Sequence, residues 1–238
     1  MELELFGSLH LRTLLALAGF GFVVIYPAKR WMNADTRDQW AIGLGSFMIV
    51  MEFLDRGYQI ILLDESIKDN LPLHLCGIGV FLGAALLFFR NYRVFEILYF
   101  WGLVGAAQSI FTPDLEVGNH VFLFITYFLS HWMIILAVLY MIIIYDFRPT
   151  WDSLRRAFIA LNLFTLCVAP INLLLDTNYL FICEKPGSAT LLDVLGPWPW
   201  YILSLEVVGL LFFMVFYSPY AIADLIRSQR NSQPERGA

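Results

Sequence analysis

Seven long stretches of the sequence carry almost no charge, and each is close to the length that crosses a lipid bilayer. A spanning helix needs about 20 largely apolar residues, with a range of roughly 17–25. The stretches are residues 13–28, 39–63, 71–89, 97–113, 121–145, 157–175 and 201–223. Arg12 lies beside the first stretch, and a charged cluster at 52–56 lies within the second. The pattern predicts an all-α polytopic membrane bundle of seven transmembrane helices.

The composition supports lipid as the solvent for most of the chain. Hydrophobic residues make up 59% of the 238 residues and charged residues 15%, against roughly 45–50% and about 25% in ordinary globular chains. A soluble fold of this size has too little interior to bury so much apolar surface. The 15 basic and 20 acidic residues also form no basic field, which argues against nucleic acid as a partner.

The basic residues predict how the chain is oriented in the membrane. Eleven of the 15 lie in the connections after the first, third and fifth stretches or after the seventh. The positive-inside rule therefore places the N-terminus outside and the C-terminus in the cytoplasm. Residues 1–226 are predicted to form the transmembrane domain, and 227–238 a disordered polar cytoplasmic tail. Short basic loops suit the cytoplasmic (inner) membrane of a bacterium.

The few polar residues inside the spans share one depth, the outer half of the membrane. They are Glu52, Asp55 and Arg56 in the second span, His74 and Cys76 in the third, Gln108 in the fourth, His131 in the fifth, Asn172 in the sixth and Glu206 in the seventh. A charged group in the bilayer costs at least about 2.5–3.5 kcal/mol, so each is a functional candidate. Polar groups from six helices at one depth predict a cavity open to the outer face or outer leaflet.

Each of these residues also has a structural interpretation. The charged cluster of the second span can be a self-neutralising ion pair that locks the bundle. Gln108 and Asn172 can hydrogen-bond between helices. His131 can be a packing residue whose hydrogen bonds are made within the bundle. Glu206 can be hydrated at the membrane–water interface.

Cys76 is the candidate nucleophile, because a thiolate beside a positioned imidazole is reactive near neutral pH. His74 is two residues away, about 200° around a regular helix, so it points elsewhere unless Pro72 distorts the turn. His131 comes from another helix and can serve as the base. Candidates for a third member of a triad are Glu52, Asp55 and Glu206. A disulfide from Cys183 to Cys76 or Cys167 also stays open.

Several motifs resemble those of a known family. They are Leu71-Pro72-Leu73-His74-Leu75-Cys76, Ser130-His131-Trp132, Asn178-Tyr179-Leu180 with Lys185-Pro186, and Leu195-Gly196-Pro197-Trp198-Pro199-Trp200-Tyr201. From the second span to the seventh, the chain resembles the YwaF/TMEM164 family of integral membrane proteins. The animal branch of that family implies phospholipid acyl transfer through a membrane-embedded Cys and a His. On this resemblance, Cys76 matches the nucleophile and His131 the base.

Three functions compete for the predicted cavity. The first is cofactor-free acyl transfer or hydrolysis on a membrane lipid, with Asn172 or Gln108 steadying the oxyanion. The second is a metal-dependent hydrolase that uses His74, His131 and a carboxylate, although no H-E-x-x-H spacing occurs. The third is a lipid-binding or transport protein, although no inverted repeat stands out.

Overall fold

The described part of the chain is an all-helical bundle, as the sequence predicts. The computed structural model describes residues 3–113, 120–185 and 194–231. Among these residues are seven α-helices: α1 (Ser8–Arg30), α2 (Ala34–Gly57), α3 (Leu75–Phe89), α4 (Tyr92–Phe111), α5 (Val121–Tyr145), α6 (Trp151–Leu175) and α7 (Trp200–Asn231). A π-helical turn, Tyr58–Leu62, extends α2, and no strand occurs in the described residues.

Local sequence signals set several helix ends. The Asn33 side chain accepts a hydrogen bond from the Thr36 N–H at the start of α2, and Thr150 forms a capping box with Ser153 at the start of α6. Such caps satisfy N–H groups that the helix itself leaves unpaired. The residue that follows α3, Arg90, and the one that follows α5, Asp146, are both in the left-handed conformation. Only Arg90 and Asn91 separate α3 from α4, so the two helices pack side by side in opposite directions.

Five of the described helices, α1, α4, α5, α6 and α7, are long and apolar enough to cross a membrane. The chain is therefore a multi-pass membrane protein. Helix α2 is less apolar because of its charged residues. Helix α3 has only 15 residues, since the chain around Pro72 is not helical and the predicted third span begins earlier, at residue 71. The seven-span count and the direction of the chain remain predictions.

Helix α5 is the centre of the bundle and packs against α1, α2, α3 and α4. Its contacts with α3 and α4 are close because glycines face the same isoleucine. A Cβ on Gly102 would lie 2.7 Å from a methyl carbon of Ile134, and one on Gly79 would lie 3.2 Å from another. Helices α6 and α7 pack against α4 and against each other, so few of their residues are buried. This arrangement decides which polar residues can meet.

We call the end of the bundle where α1, α3, α5 and α7 begin the amino end. Two contacts tie its parts together. The His10 ring donates from Nε2 to the Ile110 carbonyl oxygen at 2.8 Å, which joins the start of α1 to the end of α4. Lys68 donates to the Leu175 carbonyl oxygen at 3.1 Å, which joins the connection before α3 to the end of α6.

The opposite end holds a charged cluster that the sequence analysis missed. Glu96 is 1% exposed and pairs with Arg156 and with Arg93, the latter at 3.1 Å. Ser153 also donates to Glu96 at 2.8 Å. Glu96 lies one residue before the predicted fourth span, so counting charges inside the spans did not reveal it. The cluster fastens α4 to α6.

Helix α7 continues to Asn231. It therefore extends beyond residue 226, where the sequence predicts that the transmembrane domain ends. The rest of the predicted tail, 232–238, lies outside the described residues. So does Pro186 of the Lys185-Pro186 motif.

Candidate Cys–His site

A cavity of about 280 Å³ lies between α2, α3 and α5 at the amino end. Five of the nine predicted site residues line it: Glu52, Asp55, Arg56, Cys76 and His131. Four further polar residues also line it, namely Gln59, Glu65, Tyr127 and Ser130. The structure therefore brings together charged and nucleophilic groups from three helices, in a chain where such groups are rare.

Cys76 lies in the first turn of α3, two residues after the cap residue His74. The first backbone N–H groups of a helix have no partner within that helix, and they favour negative charge nearby. A thiolate at Cys76 is stabilised by this position. The Cys76 Sγ also lies 3.9 Å from the Ser109 Oγ, so a hydroxyl from α4 faces the thiol.

His131 is 8% exposed and is held in one orientation by its own helix. Its Nδ1 lies 2.6 Å from the Tyr127 carbonyl oxygen. A carbonyl oxygen can only accept, so Nδ1 carries the proton, and Nε2 of the neutral ring is the acceptor. The imidazole and the Cys76 thiol line the same cavity. The ring is therefore in the tautomer that a base needs in order to take the thiol proton.

Glu52 and Arg56 form an ion pair one helical turn apart on α2. The Glu52 Oε1 lies 2.9 Å from the Arg56 Nη2, and the two side chains are 5% and 27% exposed. The Arg56 guanidinium reaches the first turn of α3, where a Cβ on Gly77 would lie 3.2 Å from its Nη2. Within the predicted cluster the ion pair is therefore confined to Glu52 and Arg56, and both side chains also line the cavity.

Asp55 links α2 to α5 rather than pairing with Arg56. It accepts a hydrogen bond from the Thr126 hydroxyl and another from the Gln59 amide at 2.6 Å. The sequence offers three carboxylates, Glu52, Asp55 and Glu206, as the third member of a triad with Cys76 and His131. None of the three is hydrogen-bonded to His131 in the described residues, and the group that orients its ring is the Tyr127 backbone carbonyl.

His74 lies at the amino end but does not line the cavity. Its ring packs against Tyr179 and Phe181, with centroids 5.0 and 5.3 Å away. Its Nδ1 accepts a hydrogen bond from the Leu180 N–H at 3.4 Å. His74 therefore anchors the connection after α6, on a different side of α3 from Cys76. Tyr179 is itself buried there, and this burial raises the pKa of its phenol.

Besides His74, three more predicted residues lie outside the cavity lining, so the prediction of one shared cavity is wrong for four of the nine. Asn172 is 1% exposed and bonds both backbone groups of Tyr179, at 2.8 and 2.9 Å. Glu206 accepts from Asn162 at 3.1 Å, between α6 and α7. Gln108 is exposed, while its neighbour Ser109 faces Cys76. The reason is the packing order, because α6 and α7 lie beyond α4 and cannot reach a cavity centred on α5.

The structure also bears on the three cysteines and on the hypothesis of a metal site. Cys76, Cys167 and Cys183 are all free thiols, so the disulfides that the sequence left open are not formed. In the described ranges, no three His, Cys, Asp or Glu side chains are grouped so that they could hold a metal ion. His74 and His131, the proposed metal ligands, also lie in different surroundings.

The fold and the cavity together define a class: a multi-pass α-helical membrane protein with a polar cavity, lined by a cysteine and a histidine among other residues, at one end of its bundle. A family model described as the TMEM164 family matches residues 5–217. The chain belongs to this family, which confirms the resemblance seen in its motifs. It is also 27% identical over 169 residues to an uncharacterized protein of Treponema pallidum (strain Nichols), an alignment that covers 71% of this chain and 70% of that protein. No solved structure matches the chain.

Proposed function

We propose that the protein is a membrane-embedded lipid acyltransferase or lipid hydrolase that uses Cys76 as nucleophile and His131 as base. The observation that carries the proposal is the bond from the His131 Nδ1 to the Tyr127 carbonyl at 2.6 Å. It keeps the second ring nitrogen unprotonated, beside a thiol at a helix N-terminus. A nucleophile, a base and a group that orients the base are the elements of covalent catalysis.

The reaction follows from these groups. His131 Nε2 takes the Cys76 proton, and the sulfur attacks the carbonyl carbon of a lipid ester. The tetrahedral intermediate expels the lipid alkoxide, which receives the proton from His131, and an acyl thioester remains on Cys76. A lipid alcohol or water then gives its proton to His131 and attacks the thioester. The new ester or the free acid leaves, and the thiol regains its proton.

The oxyanion of that intermediate needs hydrogen-bond donors. Asn172 and Gln108 lie outside the cavity lining, so neither can supply them. The backbone N–H groups of the first turn of α3, which carries Cys76 itself, can take this role. The Arg56 guanidinium beside Gly77 adds positive charge at the same place. Fixed donors in a site that excludes water are effective because they need no reorganisation.

The proposed topology has seven spans, with the N-terminus outside and the C-terminus in the cytoplasm of a bacterium. The opposite end of the bundle carries Lys29, Arg37 and Arg148, in agreement with the positive-inside rule. The cavity would then face the outer leaflet. Cys183 is exposed at the amino end and serves as a natural probe. In intact cells, a membrane-impermeant maleimide should label Cys183 in a variant that combines Cys76→Ala with Cys167→Ala.

The test of the function is direct detection of the acyl-enzyme. The purified protein is incubated with a phospholipid that carries a labelled acyl chain, and mass spectrometry locates the hydroxylamine-sensitive adduct. We expect the adduct on Cys76, and we expect Cys76→Ala to lose both the adduct and turnover. Cys167→Ala is the matched control, because that thiol is exposed and outside the cavity. Full turnover in Cys76→Ala would exclude the mechanism, and lipid binding without an adduct would favour a binding protein.

A further inference from the structure

A second, smaller pocket adjoins the Cys–His cavity on the side toward the middle of the bundle. It has a volume of about 10 Å³ and is lined mainly by Phe47, Met48, Met51, Val80, Leu129 and Met133. Val80 and Ser130 line both spaces. The two pockets therefore meet at a shared wall. Resting on the function proposed above, we propose that this side pocket holds the first methylene groups of the acyl chain that Cys76 accepts.

The register of the helices supports this placement. Val80 follows Cys76 by four residues on α3, so the two lie on one face of that helix. On α2, Met48 and Met51 precede Glu52 and Asp55 by four residues in the same way. The side pocket thus lies one helical turn, about 5.4 Å, further from the amino end than the reacting groups. A lipid ester at Cys76 would place its carbonyl in the polar cavity and its chain toward the middle of the bilayer, as in the membrane itself.

The lining also suits a flexible apolar ligand. Three of its side chains are methionines, which have several rotatable bonds and adapt to irregular apolar shapes. The pocket as it stands has room for one water molecule at most, so these side chains must move aside for a chain to enter. Phe47, one of the lining side chains, is 39% exposed, so only this ring separates the pocket from the outer surface of the bundle on that side. The distal part of a long chain can leave there into surrounding lipid.

The test compares esters of increasing chain length, from acetyl to palmitoyl, by the rate at which each acylates Cys76. In the wild type the rate should rise with length over the first few methylene groups, by up to about fourfold for each group buried. In Val80→Phe the ring fills the junction, so the rates for the longer esters should fall relative to the acetyl rate of the same variant, and the rise should disappear. The control is Val50→Phe, the same change at a position on α2 that is 54% exposed and outside the pocket.

A second measurement keeps the inference testable if Val80→Phe does not fold. A palmitoyl ester with a diazirine a few carbons from its carbonyl should crosslink, in the wild-type protein, to Met51, Met133 or Phe47. Crosslinks elsewhere on the bundle, or an unchanged length dependence in a folded Val80→Phe, would overturn the inference and leave the Cys–His mechanism standing. Failure of every ester to acylate Cys76 would contradict the proposed function itself and this inference with it.

Discussion

The His131 Nδ1 lies 2.6 Å from the carbonyl oxygen of Tyr127, one helical turn earlier on α5. The Ser130 hydroxyl donates to the same oxygen at 3.1 Å. A backbone group thus does for this imidazole what a carboxylate does in a Ser-His-Asp triad: it fixes the tautomer and the direction of the ring. Because the orienting group is part of the main chain, no side-chain substitution deletes it. Its effect must be tested through His131 itself.

Replacement of His131 by Gln should lower the rate of Cys76 alkylation near neutral pH by about a hundredfold or more, the usual contribution of a positioned base. His74→Gln should have little effect, because that ring packs against Tyr179 and Phe181 outside the cavity lining. The measurement is the rate of iodoacetamide labelling at Cys76, followed by mass spectrometry. Equal losses in the two variants would show that His74 also acts on the thiol, and no loss in either would show that Cys76 is only a packing residue.

The sequence predicted the helices and the centre of the site because charge is rare in this chain. Glu52, Asp55, Arg56, Cys76 and His131 stand out against apolar surroundings, and their depths follow from the rise of a helix. Depth alone does not say which helices are neighbours. Asn172 and Glu206 lie toward the amino end as expected, yet their helices contact α4 rather than α5.

Two further features were beyond sequence reasoning for a similar reason. Ser109, and not its neighbour Gln108, faces Cys76, and only the packing of α4 against α3 decides between adjacent residues. The carbonyl that orients His131 belongs to the backbone, which no residue-type pattern can report. The three carboxylates that the sequence offers as a third triad member therefore do not include the group that bonds His131 Nδ1.

The ion pair of Glu52 and Arg56 should show strong coupling in a double-mutant cycle. Glu52→Gln leaves a largely buried guanidinium without its partner, and Arg56→Gln does the same to a carboxylate that is 5% exposed. Each single change should lower thermal stability in detergent. The double variant should be more stable than the sum predicts, by about 0.5–3 kcal/mol, as is typical of residues in contact. Simple additivity would mean that solvent screens the pair.

The buried Glu96 should matter more for stability than any exposed ion pair at the same end. Glu96→Gln removes the charge that Arg93, Arg156 and Ser153 all contact, and hydrogen bonds to a charged group contribute about 1.5–3 kcal/mol. Asp152→Asn is the control, because its pair with Arg155 is 63% and 65% exposed and such pairs contribute about 0–1 kcal/mol. Thermal unfolding in detergent should therefore shift strongly only for Glu96→Gln. Comparable shifts would argue against α4 and α6 being fastened there.

Gly77 should be needed for turnover although it has no side chain. A Cβ at this position would lie 3.0 Å from the Pro72 Cα and 3.2 Å from the Arg56 Nη2. The proline backbone can yield little, whereas the end of the arginine can move, so Gly77→Ala should push the guanidinium away from the first turn of α3. Loss of one oxyanion donor costs about a hundredfold to a thousandfold, and a displaced charge should cost less, about tenfold in turnover.

The matched control for that change is Gly43→Ala on α2, where an added Cβ meets nothing within 4 Å. It should leave turnover unchanged, since it adds a good helix former in open space. The acyl-transfer assay should be run beside iodoacetamide labelling of Cys76 in both variants. If Arg56 acts on the oxyanion, Gly77→Ala should lose turnover by a larger factor than it loses labelling, because alkylation passes through no oxyanion. Equal losses in the two assays would place the effect on the thiolate instead, and wild-type turnover would remove Arg56 from the mechanism.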